Sequence, residues 1–274
     1  MGVKEGDFVS ICMADTPELI YTLYAINRIG AVANIISPMF TQEQISQHLN
    51  STESKKLLML DQLYPKLEKP IKESGIEQSI VVSIADSLPT PLKCIKLAQN
   101  KLDIMRRKLV AIPNGDSYVR WDDANRVCAN DYKNFVDATY KKDRPYVMVY
   151  SSGSTGASKG ILLSNDAINA TIVQHQHPHL HFDRGKRFLK IIPSIFSTGV
   201  STSLAMPLWF GTTVILEPKF DKTTFAKKVQ KTKPHYFLVP TSHLEAMVTT
   251  NDVKDLSQGV YYLTGGEAMP APLE

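Results

Sequence analysis

The chain has 274 residues, enough to bury a sizeable core and to hold two domains of ordinary size. Its 43% hydrophobic and 21% charged content is that of a globular protein, and a net charge of +4 is too modest to mark a nucleic-acid binder. Cys12, Cys94 and Cys128 stand far apart without metal-ligand spacing, which excludes a disulfide scaffold and fits a reducing, cytoplasmic setting. No apolar run reaches membrane-spanning length, and the N-terminus lacks the pattern of a secretory signal.

In chain order, FVSICMA (8–14) reads as a buried strand. Thr16 is placed to cap a helix whose first turn accepts Pro17 and which Gly30 can end. AVANIIS (31–37) is the next strand, and Thr41 to Gln44 spells a T-x-x-Q capping box that opens another helix. KLLML (56–60) and SIVVSI (79–84) are further strands, each followed by helical sequence, and YVMVYSS (146–152) closes the series. The basic run 101–108, KLDIMRRK, has no aromatic interleaving and reads as a solvated helix face. Residues 111–144 are polar and irregular, compatible with short strands or with a loop excursion.

After Asp183-Arg184-Gly185 the alternation restarts: strand FLKIIP (188–193), a helix near 200–210, strand TTVIL (212–216), a helix over 221–232, strand YFLVP (236–240), a helix, and strand VYYLT (260–264). Near-continuous apolar strands alternating with helices indicate parallel sheets covered on both faces. The expected fold is therefore α/β, with two doubly wound parallel-sheet subdomains packed side by side, one over residues 1–184 and one over 185–274.

Between strand 146–152 and the short apolar run ILLS (161–164) lies SGSTGASKG (152–160). Glycines allow close backbone approach, hydroxyls and amides donate hydrogen bonds, and lysine adds a point charge suited to phosphate. The natural partner is an anion, held beyond the carboxyl end of a strand where open α/β sheets bind ligands. This is not a Walker loop, because Gly160 rather than Ser or Thr follows Lys159, and a short strand rather than a helix comes next. A plain Gly/Ser linker is the bland alternative, but tight flanking strands and a lysine set off by glycine argue against it.

YSSGSTGASKG (150–160) closely resembles the phosphate loop of the adenylate-forming ligases, the superfamily of acyl- and aryl-CoA synthetases, peptide-synthetase adenylation domains and beetle luciferases. GVKEGDFVSI (2–11), the stretch 25–49 and LTGGEAM (263–269) are similar to further segments of that family in the same order. The resemblance implies ATP-dependent activation of a carboxylate as an acyl-adenylate, followed by transfer to a thiol such as coenzyme A. It implies phosphate binding by Ser151, Ser152, Gly153, Ser154, Thr155, Gly156 and Lys159, with Lys159 catalytic. Gly265, Gly266 and Glu267 would pack against adenine, and Phe196 and Gly199 would border the acyl group, Gly199 leaving room for a chain to pass.

Departures from the pattern matter. Ser158 stands where the family usually has proline, and Phe196 stands where it often has a histidine. Nothing matches the Y-G-x-T-E segment or the T-G-D segment, to which the family assigns magnesium and ribose contacts, so the main Mg2+ ligand is expected outside this chain. Both ends look cut, and the chain reads as a fragment of the large N-terminal domain, truncated relative to the full family domain and inactive by itself. A non-catalytic nucleotide- or acyl-binding protein that kept the fold is the alternative, with a serine hydrolase a third reading set aside for want of a G-x-S-x-G elbow. HQHPHLH (175–181) alternates histidines, but Pro178 interrupts it and no Cys or carboxylate cluster supports it, so no metal site is assigned. Segment 195–211 carries no charged side chain, which points to an aliphatic or aryl carboxylate, a fatty acid foremost, rather than an amino acid.

Overall fold

The computed structural model describes residues 1–107, 111–131, 135–151, 158–176, 181–218, 220–249, 259–265 and 268. The chain divides into two compact units, Met1–Asn165 and Asp166–Glu274.

The first unit is built on a seven-stranded sheet of β1 (Phe8–Cys12), β2 (Val32–Ile35), β3 (Lys56–Leu60), β4 (Gln78–Val82), β5 (Tyr118–Arg120), β6 (Pro145–Ser151) and β7 (Lys159–Ser164). The order across the sheet is β5-β4-β3-β1-β2-β6-β7. The chain moves from β1 to β2 on one side, then returns past β1 to β3 on the other. With right-handed crossovers, α1 (Pro17–Ile29) and α2 (Gln42–Ser51) therefore lie on opposite faces, which is what doubly wound means.

Local chemistry sets these two helices. Thr16 caps α1 by accepting from the Leu19 amide, Pro17 occupies the first turn, and Gly30 ends the helix at φ +82°, a left-handed conformation glycine adopts without penalty. Thr41 and Gln44 complete both arms of the capping box on α2, at 3.2 and 2.9 Å. Cys12, Ile36, Ile45, Leu57, Met59 and Leu67 meet in the core beside β1 and β3.

Neighbouring strands of this sheet run parallel except for β6 and β7, which pair antiparallel from Pro145–Ser164 to Ser151–Lys159. The sequence reading places a strand at 161–164 without giving its direction. The short link 152–158 decides it, because a parallel return needs a crossover of a dozen residues or more. The polar stretch 111–144 resolves into β5 followed directly by α5 (Trp121–Asp131). Between β3 and β4 runs α3 (Tyr64–Glu73), and before β5 runs α4 (Thr90–Arg107).

The second unit carries a parallel sheet in the order β11-β10-β8-β9, formed by β8 (Arg187–Lys190), β9 (Thr213–Leu216), β10 (Tyr236–Val239) and β11 (Tyr261–Thr264). Its winding also reverses, here at β8, between β9 on one side and β10 on the other. Leu189, Ile191, Phe225, Val229, Phe237 and Val239 form its core. α6 (Asn165–Gln174) leads into this unit, while α9 (Phe225–Thr232) and α10 (Thr241–Thr249) follow β9 and β10.

The helix expected near 200–210 is interrupted. A first turn, α7 (Ser197–Val200), passes into a π turn over Ser201–Ala205 and then into α8 (Met206–Trp209). Pro207 is the cause at hand: it has no amide hydrogen to return to Ser203, and its ring crowds that carbonyl, so the spiral widens ahead of it. Among the described residues, no helix is long and apolar enough to cross a membrane.

Candidate active site

The glycine- and hydroxyl-rich segment hangs from the antiparallel β6–β7 pair, whose last register partners are Ser151 and Lys159. The ladder thus sets the backbones of Ser151 and of the exposed Lys159 opposite each other at the mouth of the loop. Gly160 is tightly approached: a Cβ there would stand 2.8 Å from the Met148 Sδ. The expected phosphate binders Ser152, Gly153, Ser154, Thr155 and Gly156 lie outside the described residues. Ser151 and Lys159 both offer hydrogen-bond donors to an anion, and that chemistry fits the phosphates of ATP.

Behind Ser151 a buried polar network ties the loop to the sheet. The Tyr150 hydroxyl donates to Asn34 Oδ1 at 2.8 Å, and Asn34 Nδ2 donates to Ser10 Oγ at 2.9 Å and Thr52 Oγ1 at 3.1 Å. Ser10 donates in turn to Ser54 at 2.8 Å. Burial pushes the Tyr150 hydroxyl up to about 12, so it remains a donor. His48, on α2, packs against the Tyr150 ring at 3.8 Å between centroids, and its Nε2 meets Ser158 Oγ at 3.0 Å. Burial lowers the His48 pKa and keeps the imidazole neutral.

Residues 156–160 also spell G-x-S-x-G around Ser158. A nucleophile elbow requires a strand-to-helix turn, whereas Ser158 immediately precedes the edge strand β7, so this serine is not presented as a hydrolase nucleophile.

In the second unit, Phe196 and Gly199 follow the carboxyl end of β8, at the point where the winding reverses, and Gly265 follows the carboxyl end of β11. Phe196 is 51% exposed, so it does not serve as plain core filling. Gly199 is buried, and a Cβ there would come 1.8 Å from the Pro193 carbonyl oxygen. The turn closed by the Phe196 amide on the Pro193 carbonyl occupies the space beside Gly199. This glycine therefore permits a close backbone approach, and its missing side chain does not open a passage. At Gly265 a Cβ would meet nothing within 4 Å, and its amide extends the β10–β11 ladder to Val239 O at 3.3 Å. Gly266 and Glu267 lie outside the described residues.

Of the histidine run, 177–180 lies outside the described residues, while His175 Nδ1 is tied to the Thr171 carbonyl at 2.8 Å. Among the described residues, no group of three or more His, Cys, Asp or Glu side chains is placed to hold a metal, so none is assigned to Mg2+.

An α/β chain with a hydroxyl and a lysine flanking a loop at the carboxyl end of a strand in its first sheet has the makings of an anion-binding site. The family model described as AMP-binding enzyme matches residues 1–274, and the chain belongs to that family. It is 25% identical to a long-chain-fatty-acid–CoA ligase of Bacillus subtilis (strain 168), covering 100% of this chain and 48% of the relative. It is 21% identical to the 4-coumarate–CoA ligase CCL1 of Humulus lupulus, covering 100% and 45%. Among solved structures, a red-emitting luciferase from Phrixothrix hirtus shares the fold at a TM-score of 0.79 and 21% identity, over 99% of this chain and 48% of that one. The chain spans about half the length of the relatives it matches.

Proposed function

We propose that the chain supplies the phosphate-loop portion of an ATP-dependent, AMP-forming acid–thiol ligase. The reading rests chiefly on Ser151 and Lys159 paired across the mouth of the loop. ATP, when bound, provides the electrophilic α-phosphorus and pyrophosphate as leaving group. Lys159 sets a fixed positive charge against the departing phosphates, and the Ser151 hydroxyl donates to a non-bridging oxygen. The antiparallel ladder fixes the backbone positions from which both side chains reach the phosphates, which favours their orientation during displacement. Ser152, Gly153, Ser154, Thr155 and Gly156 complete the cradle in this reading, and Gly265, Gly266 and Glu267 border adenine.

The acyl side is read from segment 195–211. Phe196 stands exposed at its start, Leu204 and Met206 are buried, and no charged side chain is present to pair with a substrate amino group. An aliphatic or aryl carboxylate follows, a fatty acid foremost, with coenzyme A as acceptor. The relatives include both fatty-acid and 4-coumarate ligases, consistent with that pair of classes.

The 274-residue chain by itself, which contains no Y-G-x-T-E or T-G-D segment, is expected to bind ATP without carrying out carboxylate-dependent ATP–pyrophosphate exchange. Exchange is expected when the chain is expressed together with such segments, and Lys159→Ala should remove it. Robust exchange by the isolated chain would overturn the assignment of essential groups to those other segments. Exchange in the longer protein that is indifferent to Lys159 would overturn the site.

A further inference from the structure

The geometry points to His48 as a positioning residue for the phosphate loop, acting through Ser158 on the stem that carries Lys159. The inference rests on the reading of that loop as the ATP phosphate site.

His48 is distant in sequence but fixed in space. It lies on α2, is 3% exposed, and its ring is held between Phe40 and Tyr150, at 5.1 and 3.8 Å between centroids. Its backbone carbonyl is engaged as well, accepting from the Thr52 hydroxyl at 3.1 Å. Packing this way fixes the plane of the ring, and Nε2 lies 3.0 Å from Ser158 Oγ. With the imidazole neutral, either partner can donate, depending on the tautomer.

Ser158 is where such a tether counts. The β6–β7 ladder ends at the Ser151–Lys159 pair, so the ladder alone fixes nothing beyond Lys159. The His48 bond carries the attachment one residue further into the loop. A proline at this position would restrict the backbone through its own ring, whereas serine leaves φ free. In this chain the restraint is supplied from outside, by α2. Tyr150 belongs to the same assembly: its hydroxyl is anchored on Asn34 while its ring supports His48, so both stems of the loop lean on one buried group of side chains.

An ordinary core histidine would support folding without influencing the ligand, and the two roles separate in a double-mutant cycle. ATP affinity of the 274-residue chain is measured by titration calorimetry and thermal stability by calorimetric unfolding. His48→Phe keeps an aromatic ring between Phe40 and Tyr150 but has no ring nitrogen; Ser158→Ala removes the other partner at a half-buried position and takes away only the hydroxyl. Each should weaken ATP binding about three- to tenfold, the worth of one hydrogen bond, and the double variant should lose no more than either single one. Ser158→Pro placed in the His48→Phe background should restore affinity to within about twofold, since the ring then supplies the restraint. Unchanged affinity in both single variants, or losses that add, would overturn the positioning role while leaving the phosphate-site reading in place. Failure of the unsubstituted chain to bind ATP would overturn that reading and this inference with it. If His48→Phe does not fold, Ser158→Ala alone decides, by losing or keeping affinity.

Discussion

Gly199 packs so closely on Pro193 that a Cβ at the glycine would stand 1.8 Å from the proline carbonyl oxygen. Backbone rather than a mobile side chain fills the space, so nothing nearby can swing away. Gly199→Ala should therefore lower stability by about 1–3 kcal/mol, the usual range for overpacking. Equilibrium denaturation with urea measures this, and an unchanged midpoint would mean that the turn at 193–196 can open. Enlarging Gly199 is consequently a test of packing and not of acyl chain length.

Lys159 invites a test that separates the two half-reactions. In a longer protein with the ligase activity proposed above, Lys159→Ala should slow adenylation by about 2–3 kcal/mol, roughly a hundredfold, by removing one electrostatic donor to the departing pyrophosphate. Thioester formation from pre-made acyl-adenylate should change far less, because the pyrophosphate is already gone. Equal damage to both steps would reduce Lys159 to a structural role.

Phe196 stands exposed at the start of the segment proposed for the acyl side and is the better probe of that proposal. Phe196→Ala should redistribute kcat/KM among carboxylates by about tenfold while leaving the KM for ATP unchanged. A panel of fatty, aryl and amino acids reads this out. A preference for amino acids, or an identical profile in the variant, would displace the acyl site from this segment.

Acid should weaken the fold through its histidines. Burial lowers the pKa of His48, and burial followed by the charges of Arg187 and Lys186 lowers that of His235, both from an ordinary value of 6.5. The unfolded chain then binds more protons than the folded one just below that value. Stability is full above 6.5 and declines as pH falls toward the folded-state values. His48→Phe should flatten the difference in unfolding free energy between about pH 7.5 and about pH 5.5, leaving the His235 share. An unaltered slope would show that His48 carries none of it.

Much of this was legible in the sequence because it is written locally. The Thr16, Pro17 and Gly30 signals bound α1 as read, and the Thr41–Gln44 box stands at the head of α2. Strand direction is not local: ILLS reads as a strand, but only the short span before it and the free edge of β6 make β7 antiparallel. The π turn depends on one missing amide at Pro207, within a segment whose composition reads simply as helix. The contact between His48 and Ser158 crosses 110 residues and leaves no motif. One signal was available: Ile45, His48 and Leu49 share a face at helical spacing, which places the histidine inward with two core residues. Gly199 reads as open space from its size alone, and only the course of the backbone at Pro193 shows that the space is filled.

The pairing of Ser10 with Asn34 has a consequence for how the protein reaches its native state. They are register partners in β1 and β2, and their side chains also bond to each other while Asn34 serves Thr52 and Tyr150. Strands as uniformly apolar as these could slide past one another and still bury grease. Here a slip of one residue would turn the Asn34 amide away from its partners and leave a buried polar group unmatched, a cost of about 1–3 kcal/mol for each lost partner. The polar group inside the sheet thus acts as an alignment key that disfavours misthreaded pairings.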